Sequence, residues 1–144
     1  MDDAKIPDMP AEVAAVFGGY DAPLRAKLLA VRRLIFETAA ATEGAGPLTE
    51  CLKWSEPAYL TEATGSGSTI RIGPVRNDPG RCAVFVNCKT SLIDTYRTLF
   101  AGELSFAGNR AVLLNVTGPL PAPLAACIGM ALTYHLGKRK RRPA

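Results

Sequence analysis

Strand-like runs with short connections constrain the fold of this chain more than any other feature. The runs are rich in β-branched and aromatic residues, and most of them are separated only by turn residues. They cover residues 49–54, 58–61, 69–72, 82–88, 104–106 and 110–116. Because parallel strands need crossovers of about a dozen residues or more, these short connections predict a mainly antiparallel sheet.

Helical patterns surround these runs. Two apolar stripes precede the first strand, and Gly18-Gly19 separates the two helices that they predict. A third helix is predicted from Ser91, which with Asp94 resembles a capping box, and a last one from Pro121 or Pro123. The third helix is expected to turn these side chains inward: Leu92, Ile93, Tyr96, Leu99 and Phe100. The order predicts an α+β domain with helices on one sheet face, which leaves the other face open for a ligand.

Two loops carry turn signals. Residues 77–80, with the sequence Asn-Asp-Pro-Gly, predict a tight turn before the most buried-looking strand. Residues 65–68, with the sequence Gly-Ser-Gly-Ser, predict a flexible connection between strands, since no helix follows that could hold a phosphate. Neither loop is long enough to separate two domains.

Length and charge predict one domain over residues 1–137 with a basic disordered tail at 138–144. The 144 residues carry a net charge of +4, but five of the seventeen basic residues lie at 138–142. The remainder has twelve basic and thirteen acidic residues, so the folded body is nearly neutral. A solvated tail is the simplest interpretation, and a nucleic-acid accessory role through this tail is one alternative.

The N-terminal residues are acidic and no long apolar stretch follows them, so we expect a cytoplasmic protein without a membrane span. That compartment predicts four reduced, buried cysteines at 51, 82, 88 and 127. Cys82 and Cys88 are predicted on one strand roughly 20 Å apart, too far to form a disulfide or to share a metal ion.

The sequence shows no catalytic constellation, and we expect a protein that is not an enzyme and has no cofactor. His135 is the only histidine, and no nucleophile lies at a recognisable spacing from it. The acidic residues show no metal-binding loop spacing, so no metal site is predicted.

The stretch from Glu50 to Tyr59 carries the best candidate site. It holds the only tryptophan, Trp54, beside Lys53 and before Pro57 and Tyr59. Aromatic side chains, a cation and a rigid proline can wall a pocket for a small anionic or aromatic ligand, with Arg71 as a second polar handle and Phe85 as a further wall. The same residues can also pack the start of a sheet, and Lys53 and Trp54 share a face only if the strand is irregular there.

The run Leu52-Lys53-Trp54-Ser55-Glu56-Pro57-Ala58-Tyr59 resembles the L-K-W-x-x-P-x-Y signature of the YdhG-like domain-of-unknown-function family. The resemblance extends from residues 13–17 to residues 131–135. It implies a compact frataxin-like α+β fold, and for one branch of the family a role as an intracellular iron chaperone. The second helix is basic rather than acidic, with Arg25, Lys27, Arg32 and Arg33, so a ligand-binding module is the first hypothesis and the iron chaperone an alternative.

Overall fold

A computed structural model describes residues 6–136 of the chain. The predicted tail at 138–144 lies outside these residues. The helices are α1 (Ala11–Gly18), α2 (Ala22–Ala41), α3 (Leu92–Leu99) and α4 (Leu124–Leu132). The strands are β1 (Thr49–Lys53), β2 (Glu56–Leu60), β3 (Ile70–Val75), β4 (Asp78–Phe85), β5 (Ser105–Ala107) and β6 (Ala111–Asn115).

The six strands form one antiparallel sheet in the order β1-β2-β3-β4-β6-β5. Helices α1 and α2 precede the sheet in sequence, α3 connects β4 to β5, and α4 follows β6. This arrangement confirms the predicted α+β class. Within residues 6–136, no helix is both long and apolar enough to cross a membrane.

The hydrophobic core lies between one face of the sheet and helices α1 to α4. Ile70 and Ile72 of β3 are buried, and Val84 and Val112 continue the same row across β4 and β6. Because strand side chains alternate between faces, the residues between them point away from the helices. The prediction of helices on one face is confirmed, and the opposite face is available to build a site.

A buried ion pair fixes β1 and β2 to α2. The Arg32 guanidinium donates to both carboxylate oxygens of Glu50, at 2.6 and 2.9 Å, and these side chains are only 7% and 5% exposed. The Tyr59 hydroxyl donates to the same carboxylate at 2.9 Å, and its ring meets Phe36 edge-on. Burial, and then the charge of Glu50, raise the pKa of Tyr59. Tyr59 is therefore a neutral hydrogen-bond donor inside the core.

The β1–β2 hairpin turns earlier than the sequence predicts. Trp54 and Ser55 form the turn, both at positive φ (54° and 64°), so Trp54 is a turn residue and not the end of a strand. Two residues in the left-handed region define the type I′ turn that matches the twist of a two-residue hairpin. Pro57 lies within β2 opposite Leu52, and not between the strands as expected. In the alternating ladder that position needs no N–H toward β1.

The loop at residues 65–68 is a packed element and not a flexible connection. The Ser66 hydroxyl donates to the Leu132 carbonyl at 2.8 Å, and the Ser68 N–H donates to the Ala131 carbonyl at 2.8 Å. A Cβ on Gly67 would collide with the Leu132 backbone. The loop thus satisfies carbonyls at the end of α4 that the helix itself leaves unpaired.

Two further local predictions differ from the structure. The turn before β4 contains Asn77, at φ 62°, but β4 already begins at Asp78. Helix α3 begins after Ser91 as expected, yet the Ser91 side chain makes no capping hydrogen bond. Leu99 is 53% exposed and not inward, and Phe100 follows the helix and is only half-buried, whereas Leu92, Ile93 and Tyr96 are buried as predicted.

The four cysteines are free thiols, but they are not all buried. Cys82 and Cys127 lie in the core, where burial raises their pKa values to about 11 and about 12. Cys51 is half-buried. Cys88 is exposed, because β4 ends at Phe85. The sequence had predicted that this strand extends to residue 88.

Candidate functional site

The face of the sheet that points away from the helices carries the candidate site. The strand register places Ala58, Arg71, Phe85 and Ala111 in one row across β2, β3, β4 and β6. Residues paired across antiparallel strands share a face, so this row lies opposite the core. Its outer members are alanines, and the two large side chains in the middle therefore dominate this part of the surface.

Arg71 is held rigidly in this row. Its guanidinium lies over the Phe85 ring, 4.3 Å from the centroid, and forms an ion pair with Glu56. The Glu56 carboxylate sits directly above Gly73, where any Cβ would collide with it. Burial raises the pKa of Glu56, and this effect outweighs the opposing effect of Arg71. The row is a preassembled layer of carboxylate, guanidinium and ring.

A cleft of about 340 Å³ opens beside this layer. Its volume falls at the lower end of the range for small-molecule sites, which is about 300–1,000 Å³. The cleft is lined by Lys53, Trp54, Thr69, Arg71, Phe85, Val86, Asn87, Cys88 and Arg110. Three of these side chains are cationic, two are aromatic, and none is a carboxylate.

The β1–β2 hairpin brings Lys53 and Trp54 to the cleft. The ladder between β2 and β3 consists of only two residue pairs, Ala58 with Arg71 and Tyr59 with Ile70. The tip of the hairpin is therefore not paired to β3. The tip contributes a lysine and an indole to the cleft wall at the point where the strand becomes a turn.

Trp54 has two unusual properties for a tryptophan. Its side chain is 88% exposed, and its backbone φ is 54°. A bulky residue in the left-handed region costs about 1–2 kcal/mol relative to the right-handed one. Exposed indole surface gives the fold no compensating burial. Backbone strain of this kind is commonly found at functional positions.

Lys53 and Arg110 supply the positive charge of the cleft. Both are exposed, and neither forms an ion pair with another residue in the range 6–136. Arg71 is neutralised by Glu56. The two other cations are therefore available to an anion that enters from solvent.

No family model, characterised protein or solved structure matches this chain. The resemblance to the YdhG-like family stays a prediction that rests on the motif at residues 52–59.

Four of the predicted site residues meet at the cleft, namely Lys53, Trp54, Arg71 and Phe85. The other two do not line it. Pro57 is buried within β2, and Tyr59 has no exposed surface and hydrogen-bonds to Glu50 on the core side of the sheet. The motif therefore divides between the two faces: its proline and tyrosine are structural, and its lysine and tryptophan reach the open side.

The predicted site did not include the segments around Cys88 and Arg110. These residues follow β4 and precede β6, and the Val86 N–H donates to the Arg110 carbonyl at 2.8 Å. The alternation that places Phe85 opposite the core could have suggested neighbours from adjacent strands. The order of those strands, with β6 beside β4, could not be read from the sequence.

Neither alternative function gains a supporting observation. Within residues 6–136 no group of three or more His, Cys, Asp or Glu side chains is placed to hold a metal ion. His135 is exposed near the end of the described region, with its ring 5.4 Å from that of Tyr134. The basic tail proposed to contact nucleic acid lies at 138–144, outside the described residues.

Proposed function

We propose that this protein is a cytoplasmic, non-enzymatic module that binds a small anionic ligand with a planar group in the cleft beside Trp54. Lys53 and Arg110 attract the charge, and the indole of Trp54 provides a surface on which a planar group stacks. Arg71 and Phe85 form the rigid floor.

The exposure and strain of Trp54 are the observations that support this proposal most strongly. A solvent-exposed indole contributes little to folding, and its left-handed backbone reduces stability. Both features are expected if the indole contacts a bound ligand. The uncompensated cations on the same cleft indicate that the partner is negatively charged.

A ligand that binds only the folded state raises its stability by mass action. We therefore expect some members of a panel of small planar anions to raise the melting temperature of the wild type. The Trp54→Asn variant should lose the shift, because asparagine tolerates the left-handed turn but offers no ring for stacking. Leu99→Asn is the matched control, since it removes the other large exposed apolar side chain of residues 6–136, which does not line the cleft.

The position of binding can be tested with Cys88, whose exposed thiol lines the cleft. Ligands that raise the melting temperature should slow alkylation of Cys88, detected by peptide mass spectrometry. Stabilising ligands that leave the alkylation rate unchanged would place binding elsewhere. If no member of the panel stabilises the wild type, the proposed function is wrong.

A further inference from the structure

We propose that the charged part of the ligand is a dianion of the phosphate-monoester class attached directly or through a short linker to a planar ring. This inference rests on the proposed function and specifies the ligand of the same cleft. It follows from the charge of the cleft, from the rigid pairing beneath it and from the position of the indole.

The charges around the cleft leave two positive charges uncompensated. Lys53, Arg71 and Arg110 line it, and Glu56 neutralises Arg71 from below. Because Arg71 is also stacked on Phe85, it cannot turn to an incoming anion without losing both contacts. The charges available to an anion are therefore those of Lys53 and Arg110, which form no ion pair within residues 6–136. A group with two negative charges balances them, whereas a single carboxylate or a phosphodiester leaves one cation unpaired.

The chemistry of the two cations favours phosphate over other dianions. An arginine guanidinium can form paired hydrogen bonds to phosphate oxygens, and a lysine ammonium binds them as a compact charge. A phosphate monoester carries about −1.5 to −2 charge at neutral pH and has three strong acceptor oxygens. One such group placed between Lys53 and Arg110, which both line the cleft, would balance both charges.

The aromatic surfaces determine where the planar part lies. The Arg71 guanidinium occupies one face of Phe85. The indole of Trp54 remains open at the rim of the cleft. A ring that stacks on Trp54 lies beside Lys53, and its phosphate then lies between Lys53 and Arg110, which line the same cleft. The volume of about 340 Å³ suits a molecule the size of a mononucleotide.

Binding of adenosine 5′-monophosphate, measured by isothermal titration calorimetry, tests this inference. Adenosine 3′,5′-cyclic monophosphate is the matched probe, because it has the same ring but a single charge. Adenosine and inorganic phosphate test the ring and the phosphate separately, and riboflavin 5′-phosphate with riboflavin repeats the comparison for a second ring. We expect each monoester to bind at least fivefold more tightly than its less charged partner.

Arginine variants locate the effect. Arg110→Met should remove most of the preference for the monoester over the cyclic diester. Arg76→Met should leave it unchanged, since Arg76 is an exposed arginine in a hairpin turn that does not line the cleft. Melting curves of both variants will test whether the fold is intact. A preference that survives Arg110→Met overturns the assignment of this residue.

The outcomes separate this inference from the proposed function. Equal binding of monoester and diester, or tightest binding of a monocarboxylate from the panel, overturns the dianion but retains the ligand-binding cleft. If no monoester binds, but another planar anion stabilises the protein and protects Cys88 from alkylation, the dianion is likewise overturned and the ligand-binding cleft is retained. Failure of the whole panel overturns both.

Discussion

Replacing the turn residues Trp54-Ser55 with Asn-Gly should make the protein more stable while removing its ability to bind ligand. Both residues lie at positive φ, at 54° and 64°, in a two-residue hairpin turn. Asn-Gly is the sequence preferred in such turns, because asparagine tolerates the left-handed region and glycine has no Cβ to clash there. The strands on either side keep their register, since the turn type and loop length are unchanged.

The magnitude follows from two opposing effects. Glycine relieves the left-handed strain of about 1–2 kcal/mol fully and asparagine relieves only part of it, so the pair gains up to about 3 kcal/mol. Glycine in place of serine costs about 0.4–1 kcal/mol through the entropy of the unfolded chain. Loss of the indole costs little, because Trp54 is 88% exposed. The net gain should be about 1–2 kcal/mol, or roughly 3–6 °C in melting temperature for a domain near this size.

Urea denaturation followed by far-ultraviolet circular dichroism measures this gain without relying on tryptophan fluorescence. An unchanged m-value would show that the two proteins expose the same surface on unfolding. A control variant, Leu99→Asn, removes exposed apolar surface without changing a strained turn, so it should not be stabilised. A double turn variant that is less stable than the wild type by 1 kcal/mol or more would contradict the strain argument and show that Trp54 packs on the fold.

Further predictions concern the core, the ion pair and the thiols. Tyr96→Phe removes the 2.5 Å hydrogen bond from the Tyr96 hydroxyl to the Cys127 carbonyl. The free energy of unfolding, measured by urea denaturation, should therefore fall by about 1–3 kcal/mol. An unchanged value would mean that the buried carbonyl finds another partner. Because burial raises the pKa of Glu56 above its ordinary 4.5, the folded protein binds more protons and should lose stability as pH rises through the range above 4.5. The Glu56→Gln variant should lack this contribution, so its free energy of unfolding should fall less with rising pH than that of the wild type. Equal slopes of the free energy of unfolding against pH in the two proteins would contradict the prediction. Alkylation of the native protein should modify Cys88 first, with all four thiols reactive after denaturation without reductant; only two reactive groups would indicate a disulfide.

The fold class was predictable because it depends on patterns that are local in sequence. Short connections between alternating runs require antiparallel pairing, and apolar positions at helical spacing such as Leu92, Ile93 and Tyr96 mark a buried face. The predictions that were wrong concern details that depend on contacts between residues distant in sequence. The Ser66 loop looks flexible by composition, but it is fixed by carbonyls of α4 some 66 positions away.

The candidate site was predictable only in part, for the same reason. The motif indicates a concentration of unusual residues, but it does not say which face of the sheet each one occupies. Tyr59 is drawn into the core by Arg32 and Glu50, whose positions in α2 and β1 no local pattern links. Arg110 reaches the cleft because β6 pairs with β4 across an intervening helix and strand.

Fluorescence titration of the wild type tests the central claim most directly, because Trp54 is the only tryptophan of the chain and lines the cleft. Planar anions that bind there should change its emission saturably, at the concentrations at which they raise the melting temperature. Arg110→Met should shift the midpoint to higher concentration, and Arg76→Met should not. Stabilising ligands that leave the emission unchanged would contradict a binding site in this cleft.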